Sequence, residues 1–243
     1  MDVNGYFILF GYKITWYAIL GLVGMTAAFF LCYKRSKRFK ISKDDVINMT
    51  AYAMIGVLAG AKLLALICAA PFFIHNWDKI IWNLRTVEIF IGTGFVFYGG
   101  LAGCIASIYI YCRQYKVDFK NALDLAVPAI PLFHFFGRIG CFTAGCCGGV
   151  DGFPLQLVEA GLNLMIFGAM LIIQNKNILR GKTIYFYLII YPACRFILEF
   201  FRGDPERGFI WVMSVSQWIS LFLFIFSAVR LFQLFHKKHT KIF

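Results

Sequence analysis

Tyr191, Arg195, Glu199 and Arg202 stand inside or at the edge of an otherwise apolar stretch, Thr183 to Phe201, long enough to cross a bilayer. At 100° per residue their side chains fall at relative angles of about 0°, 40°, 80° and 20°, one stripe of a helix, while Phe196, Ile197, Leu198 and Phe200 cover other directions. An Arg or Glu at the centre of a lone membrane helix costs roughly 2.5 to 3.5 kcal/mol on insertion scales, so such residues face a partner helix, a water-filled cavity or a polar ligand. A guanidinium presents a planar fork of donors that matches phosphate and keeps its charge when partly desolvated. Arg138, Arg195 and Arg202 therefore read as a cradle for an anion, with Glu199, four residues after Arg195, pairing with it or holding its orientation. A structural ion pair joining helices is the competing reading.

Further polar or small residues lie in apolar surroundings. The run Gly92, Gly94, Tyr98, Gly99, Gly100, Gly103 suits close helix packing, and Tyr98 could also hydrogen-bond a ligand beside Gly99 and Gly100. Tyr17, next to Trp16, reads as an interfacial anchor or a substrate contact, and Lys62 near the middle of its run as a partner for lipid phosphate. Pro128 and Pro131 disfavour a straight helix, and Gly137, Arg138, Ile139 and Gly140 then lead into Gly145, Gly148, Gly149 and Gly152. The expectation is a broken or re-entrant glycine-rich segment after the fourth helix, lining a cavity, with free amides adding anion donors to Arg138. Cys141, Cys146 and Cys147 leave three readings open: packing, a disulfide of Cys141 with Cys146 or Cys147, and a metal site. The C-x4-C-C spacing is not a usual zinc pattern and His134 is the nearest histidine, so no metal is expected. The other five cysteines read as small apolar packing residues.

These residues need a membrane to make sense. The chain has 243 residues, 60% of them hydrophobic and only 15% charged, with mean hydropathy +0.73, far more apolar than a soluble domain. Runs of spanning length occur at 14–33, 46–74, 89–112, 121–142, 155–174, 183–201 and 211–235. The reading is an all-α integral membrane protein with seven transmembrane helices forming a single multi-pass domain over residues 1–243. Asp2 stands where a cleavable signal would be basic, so the first run is expected to stay attached. His75 to Glu88 mixes Trp77, Ile80, Ile81, Trp82 and Leu84 with charges, which suits either a short helix at the outer interface or a loop with Trp anchors.

A net charge of +12 could suggest nucleic acid, but its placement answers the positive-inside rule instead. Lys34, Arg35, Lys37, Arg38, Lys40 and Lys43 follow the first span. Arg113, Lys116 and Lys120 follow the third, Lys176, Arg180 and Lys182 the fifth, and Lys237, Lys238 and Lys241 the seventh. Alternate connections share one side, so the chain reads N-terminus out and C-terminus cytoplasmic, with the lipid bilayer and no nucleic acid as partner.

Together the motifs resemble the bacterial prolipoprotein diacylglyceryl transferase family. The resemblance rests on Trp16-Tyr17, Y-G-G-L-A-G at Tyr98 to Gly103, and G-R-I-G-C-F-T-A-G-C-C-G-G at Gly137 to Gly149. It continues through Pro154, Gln156 and Glu159, Y-P-A-C-R-F-I-L-E-F-F-R at Tyr191 to Arg202, and Ser216-Gln217. It implies an inner-membrane transferase that moves the diacylglyceryl group of phosphatidylglycerol to the cysteine thiol of a prolipoprotein signal peptide, releasing glycerol phosphate without a cofactor. On that basis Arg138, Arg195, Glu199 and Tyr98 are the expected catalytic residues. Tyr17, Lys62, Gly99, Gly100, Gly140, Cys141, Tyr191 and Arg202 are the expected substrate contacts. Tyr98 stands where the family has a His, and Cys141, Ala144 and Cys146 where it has Asn, Asn and Glu. A phenol with pKa about 10 is a poor base at neutral pH.

Overall fold

The structure is a computed structural model that describes residues 6–9, 12–76, 96–178, 180–203 and 208–239. The expected outer interfacial segment from Trp77 to Glu88 lies outside those residues, as do Gly92 and Gly94. Helices dominate: α1 is Trp16–Arg35, α2 Lys43–Asn76, α3 Phe97–Tyr115, α4 Phe119–Ala126, α5 Ala129–Thr143, α6 Leu155–Asn175, α7 Thr183–Leu198 and α8 Val215–His239. Two short antiparallel hairpins accompany them, β1 Tyr6–Leu9 with β2 Tyr12–Thr15 and β3 Phe209–Ile210 with β4 Met213–Ser214. Among the described residues six helical stretches are long and apolar enough to cross a membrane: Trp16–Phe39, Lys43–Pro71, Phe119–Thr143, Leu155–Asn175, Thr183–Phe201 and Val215–His236. The expected span over 89–112 is described only from residue 96 onward, where it forms α3.

Local chemistry sets the helix ends. The Thr15 hydroxyl accepts from the Ala18 amide at 3.2 Å and starts α1, whose last turn carries Lys34 and Arg35 toward the negative end of its dipole. Ser42 opens α2 by accepting from the Asp45 amide at 3.0 Å while its own hydroxyl donates to the Asp45 carboxylate at 2.7 Å. The expected break near Pro128 and Pro131 falls between α4 and α5, at Val127 and Pro128. Gly137 to Gly140 continue as regular helix. The free amides expected beside Arg138 are therefore absent, because a residue late in a helix has its N–H tied to the preceding turn.

The chain forms two compact units, one of Met1–Ile41 with Lys120–Phe243 and one of Ser42–Phe119. In the first, α1 packs on α5, α5 on α6, α6 on α7 and α7 on α8. At one end of this unit, Arg38 donates to the Asn175 side chain at 2.7 Å and to the Gln174 carbonyl at 2.5 Å. The Asp124 carboxylate at the same end accepts from the amides of Gly181 and Thr183. The basic segment after α1 thus meets the connection after α6. Outside, Leu22, Ile172, Phe222 and Phe232 are exposed, while Gln156, Glu159, Asn163, Arg195 and Glu199 are buried. Large apolar side chains outward and charges inward suit a hydrocarbon solvent.

In the second unit α2 and α3 cross at Gly56, Gly60, Gly99 and Gly103. A Cβ on Gly103 would overlap the Gly56 carbonyl, and one on Gly99 the Gly60 carbonyl. These glycines hold two backbones in direct contact, so the packing reading of the run applies here. Gly103→Ala is expected to destabilise this helix pair by about 1 to 3 kcal/mol through overpacking, read as a lower midpoint of thermal unfolding in detergent.

Candidate active site

Two arginines of the first unit converge on one buried carboxylate. Glu159, on the second turn of α6, sits between Arg138 of α5 and Arg195 of α7, with Arg138 Nε 2.8 Å from Oε2 and Arg195 Nη1 2.5 Å from Oε1. Arg195 continues to Glu199 Oε2 at 2.7 Å and donates through Nε to the Ser216 hydroxyl of α8 at 3.1 Å. All four charged residues are buried, Arg138 at 9% exposure, Arg195 at 7%, Glu159 at 4% and Glu199 at 3%. Two guanidiniums and two carboxylates cancel, which is how the interior of a membrane bundle tolerates them.

The two arginines differ in what they still offer. Each nitrogen of Arg195 has an oxygen within 3.1 Å, on Glu159, Glu199 or Ser216. Among the described residues, Arg138 has Glu159 as its hydrogen-bonding-distance partner, through Nε only. That contact is electrostatic, because neither Arg138 Nε nor Glu159 Oε2 has an aligned hydrogen bond. The terminal fork of Arg138 is thus held at its base and open at its tip, the geometry that accepts two oxygens of an anion. Next to Glu159 and Arg195 a cavity about the size one water needs is lined also by His134, Asn163, Tyr191 and Cys194.

Known proteins match this chain over nearly its whole length. The sequence model of the family described as prolipoprotein diacylglyceryl transferase covers residues 5–233. A phosphatidylglycerol–prolipoprotein diacylglyceryl transferase of Clostridium tetani is 36% identical over 239 residues, covering 90% of this chain and 92% of the relative. The enzyme of that name numbered 2 from Clostridium perfringens is 31% identical, over 89% and 90% of the two chains. One from Clostridioides difficile is 32% identical, over 82% of each. The chain belongs to the prolipoprotein diacylglyceryl transferase family.

In this family member the stripe expected on one helix holds for Tyr191, Arg195 and Glu199, which stands 2.7 Å from Arg195, and ends before Arg202. Helix α7 stops at Leu198, Glu199–Phe201 tighten into a 3-10 turn, and Arg202 is extended at φ −77° and ψ 135°. The backbone of Arg202 instead bridges to Gly149, and the Gly203 amide donates to the Gly148 carbonyl at 3.0 Å, which ties the glycine-rich loop to the end of α7. Tyr191 is buried, stacked on Tyr187 at 5.5 Å and tilted against His134 at 5.2 Å. Gly140 is buried against Tyr17, whose Cδ2 would lie 3.0 Å from an added Cβ; Tyr17 itself is 50% exposed. Tyr98, Gly99 and Gly100 are buried and Lys62 is half-buried, all within Ser42–Phe119.

Glu159 and Ser216 entered the sequence reading only as residues of the family resemblance, without a role in the site. Glu159 carried a further signal, a carboxylate early in an apolar span, but its partners are remote in sequence. His134, considered above only as a metal ligand, lies against Tyr191 and the cavity.

The three clustered cysteines also converge. The sulfurs of Cys141, Cys146 and Cys147 all lie within 4.8 Å of one another, and all three thiols are free. The Cys147 thiol is brought down to about 5, first by a hydrogen bond from Cys141 and then by the Arg138 and Arg202 charges acting against burial. Burial pushes the Cys146 thiol up. A lowered pKa leaves Cys147 ionised throughout the neutral range, whereas Cys146 ionises only as pH rises. Iodoacetamide modification of Cys147 is therefore expected to be nearly flat between about pH 6 and 8 while that of Cys146 climbs, since the thiolate is the reactive form. Peptide mass spectrometry across that range measures both.

Proposed function

We propose that this chain transfers the diacylglyceryl group of phosphatidylglycerol to the cysteine thiol of a prolipoprotein signal peptide, forming a thioether and releasing glycerol phosphate. Family membership and the names of the relatives support the reaction. The observation that carries the site assignment is the open fork of Arg138 above buried Glu159.

The acceptor thiol gives up its proton to solvent and its sulfur attacks the glyceryl carbon; the C–S bond forms as the C–O bond to the phosphate breaks, its electron pair leaving with the phosphate. The phosphate enters as a diester monoanion and leaves as a monoester approaching a dianion. Charge grows on the leaving group along the reaction, so a fixed cation favours the transition state over the bound lipid. Arg138 receives the departing oxygens on its terminal nitrogens. Arg195, held on three sides, keeps Glu159 in place and adds charge, and Glu199 fixes Arg195 from the following turn. Arg202 guides the anion from the loop, with Tyr191, Tyr17, Gly140 and Cys141 shaping the lipid's surroundings. The resemblance assigns Tyr98 a catalytic role and Lys62, Gly99 and Gly100 lipid contacts.

Seven spans cross the membrane, α3 belonging to the third, and the loop from Ala144 to Pro154 lines the site as a re-entrant segment. Residues 1–243 act as one multi-pass domain of the bacterial inner membrane, N-terminus out and C-terminus cytoplasmic. The contact of Arg38 with Gln174 and Asn175 supports a common side for the basic connections after the first and fifth spans.

The test reconstitutes the full chain with phosphatidylglycerol labelled in its glyceryl moiety and a peptide carrying a lipobox cysteine. Labelled peptide and stoichiometric glycerol phosphate are expected, with Arg138→Lys slower by about 10²-fold because charge is kept but the fork is lost. Glycerol phosphate release without peptide labelling would assign another acceptor, and lipid binding without turnover would make the chain a noncatalytic lipid-binding protein.

A further inference from the structure

The loop after α5 is built around its thiols. The Ala144, Gly145 and Cys146 amides turn back onto the carbonyls of Gly140, Phe142 and Cys141. The Gln156 side chain donates to the Cys146 carbonyl at 2.7 Å. Cys147 itself sits at φ +59°, in the left-handed region, which costs a non-glycine residue about 1 to 2 kcal/mol. Cys146 is exposed and Cys141 and Cys147 are half-buried, so packing does not explain three adjacent sulfurs. A disulfide would use two of them, leave the third and require an oxidant.

The separations fit a metal better. Zinc–sulfur bonds of about 2.3 Å place tetrahedral sulfurs about 3.8 Å apart, and these sulfurs already lie within 4.8 Å of one another. Three bound thiolates around a divalent ion carry one net negative charge, and the Arg138 and Arg202 guanidiniums supply the compensating field. Among the described residues the group holds three ligands and no fourth His, Asp or Glu. Structural zinc sites close all four positions, whereas reactive ones keep the fourth open for water or substrate.

We propose that Cys141, Cys146 and Cys147 form a three-thiolate site for a soft divalent ion such as Zn²⁺, whose open position takes the acceptor cysteine of the prolipoprotein as its fourth ligand. The inference rests on the transferase reading and names how the acceptor is activated. Binding the ion holds all three loop sulfurs as thiolates, those still protonated giving their protons to solvent, and binding the acceptor releases its thiol proton as well, since a coordinating thiol is deprotonated outright. The metal-bound thiolate then attacks the glyceryl carbon, the C–S bond forms, the bonding pair of the broken C–O bond leaves with glycerol phosphate, and the thioether dissociates from the ion. No electron changes hands.

The experiment titrates Co²⁺ into reduced, chelator-stripped full-length protein in detergent. One equivalent per chain with intense thiolate-to-cobalt absorption is expected, displaced by Zn²⁺, lost in Cys146→Ser and Cys147→Ser, and kept in Cys68→Ser at an exposed thiol of α2. A lipobox peptide is expected to strengthen that absorption, and the same peptide with serine for cysteine to leave it unchanged. Should the serine variants fail to fold, protection of Cys146 and Cys147 in the unaltered protein from alkylation by stoichiometric Zn²⁺ gives the same answer. Absence of the thiolate band, or a band indifferent to the peptide thiol, overturns the proposal. Full transfer by the chelated protein overturns it too, while leaving the transferase reading intact. Metal and peptide responses with no transfer by any form would instead remove the transferase reading and keep the metal site.

Discussion

Arg195→Ala is expected to lower diacylglyceryl transfer by about 10²- to 10³-fold, the range seen when one preorganised donor to a developing anion is removed. The loss has two physical sources. One positive charge leaves the site, and Glu159 and Glu199 lose the partner that stands 2.5 Å and 2.7 Å from them. Removing one member of a buried ion pair costs about 3 to 5 kcal/mol because the remaining charge is uncompensated, so lower thermal stability accompanies the lost activity. Steady-state kinetics on protein shown to be monodisperse separates the effects: kcat falls more than KM rises, as expected for charge felt in the transition state. Arg195→Lys is expected to recover part of the stability and little of the rate, because one ammonium cannot reach Ser216, Glu159 and Glu199 together. Full activity in folded Arg195→Ala would remove Arg195 from the mechanism.

Glu159→Gln is the second large change, and its sign follows from the same cluster. The substitution keeps shape and removes one negative charge, leaving two buried guanidiniums facing one neutral amide at a site where they stood 2.8 Å and 2.5 Å from the carboxylate. A destabilisation of about 3 to 5 kcal/mol is expected, seen as a lower unfolding midpoint. Transfer falls as well, since the base of the Arg138 fork loses its anchor. The double variant Glu159→Gln with Arg195→Met removes one charge of each sign and is expected to be more stable than Glu159→Gln alone, the coupling a double-mutant cycle isolates. Additive losses would mean that Glu159 and Arg195 do not act as a pair.

Much of this was legible along the chain. Hydropathy located six of the spans, those at 121–142, 155–174 and 183–201 to within two residues at each end, because a helix in hydrocarbon satisfies its own backbone and its length follows the bilayer. The pairing of Arg195 with Glu199 was legible for a similar reason: residues four apart meet on any helix. Arg202 was misplaced on the same helix because helical periodicity cannot announce where the helix stops, and here it gives way to a 3-10 turn after Leu198. The amides imagined beside Arg138 failed likewise, because the proline break fell a full two turns earlier.

Amino-acid order alone determined that this is a membrane protein, where most of its spans run, and which of its arginines lie in apolar surroundings, since each of these depends on composition and on neighbours within a turn. Tertiary structure alone decided that Glu159 joins Arg138 to Arg195, that the Arg138 fork stays open while every nitrogen of Arg195 is engaged, and that three sulfurs meet in one loop. The reason is distance along the chain: 36 residues separate Glu159 from Arg195. Only the packing of α5, α6 and α7 says which charge faces which, and local periodicity carries no record of that packing.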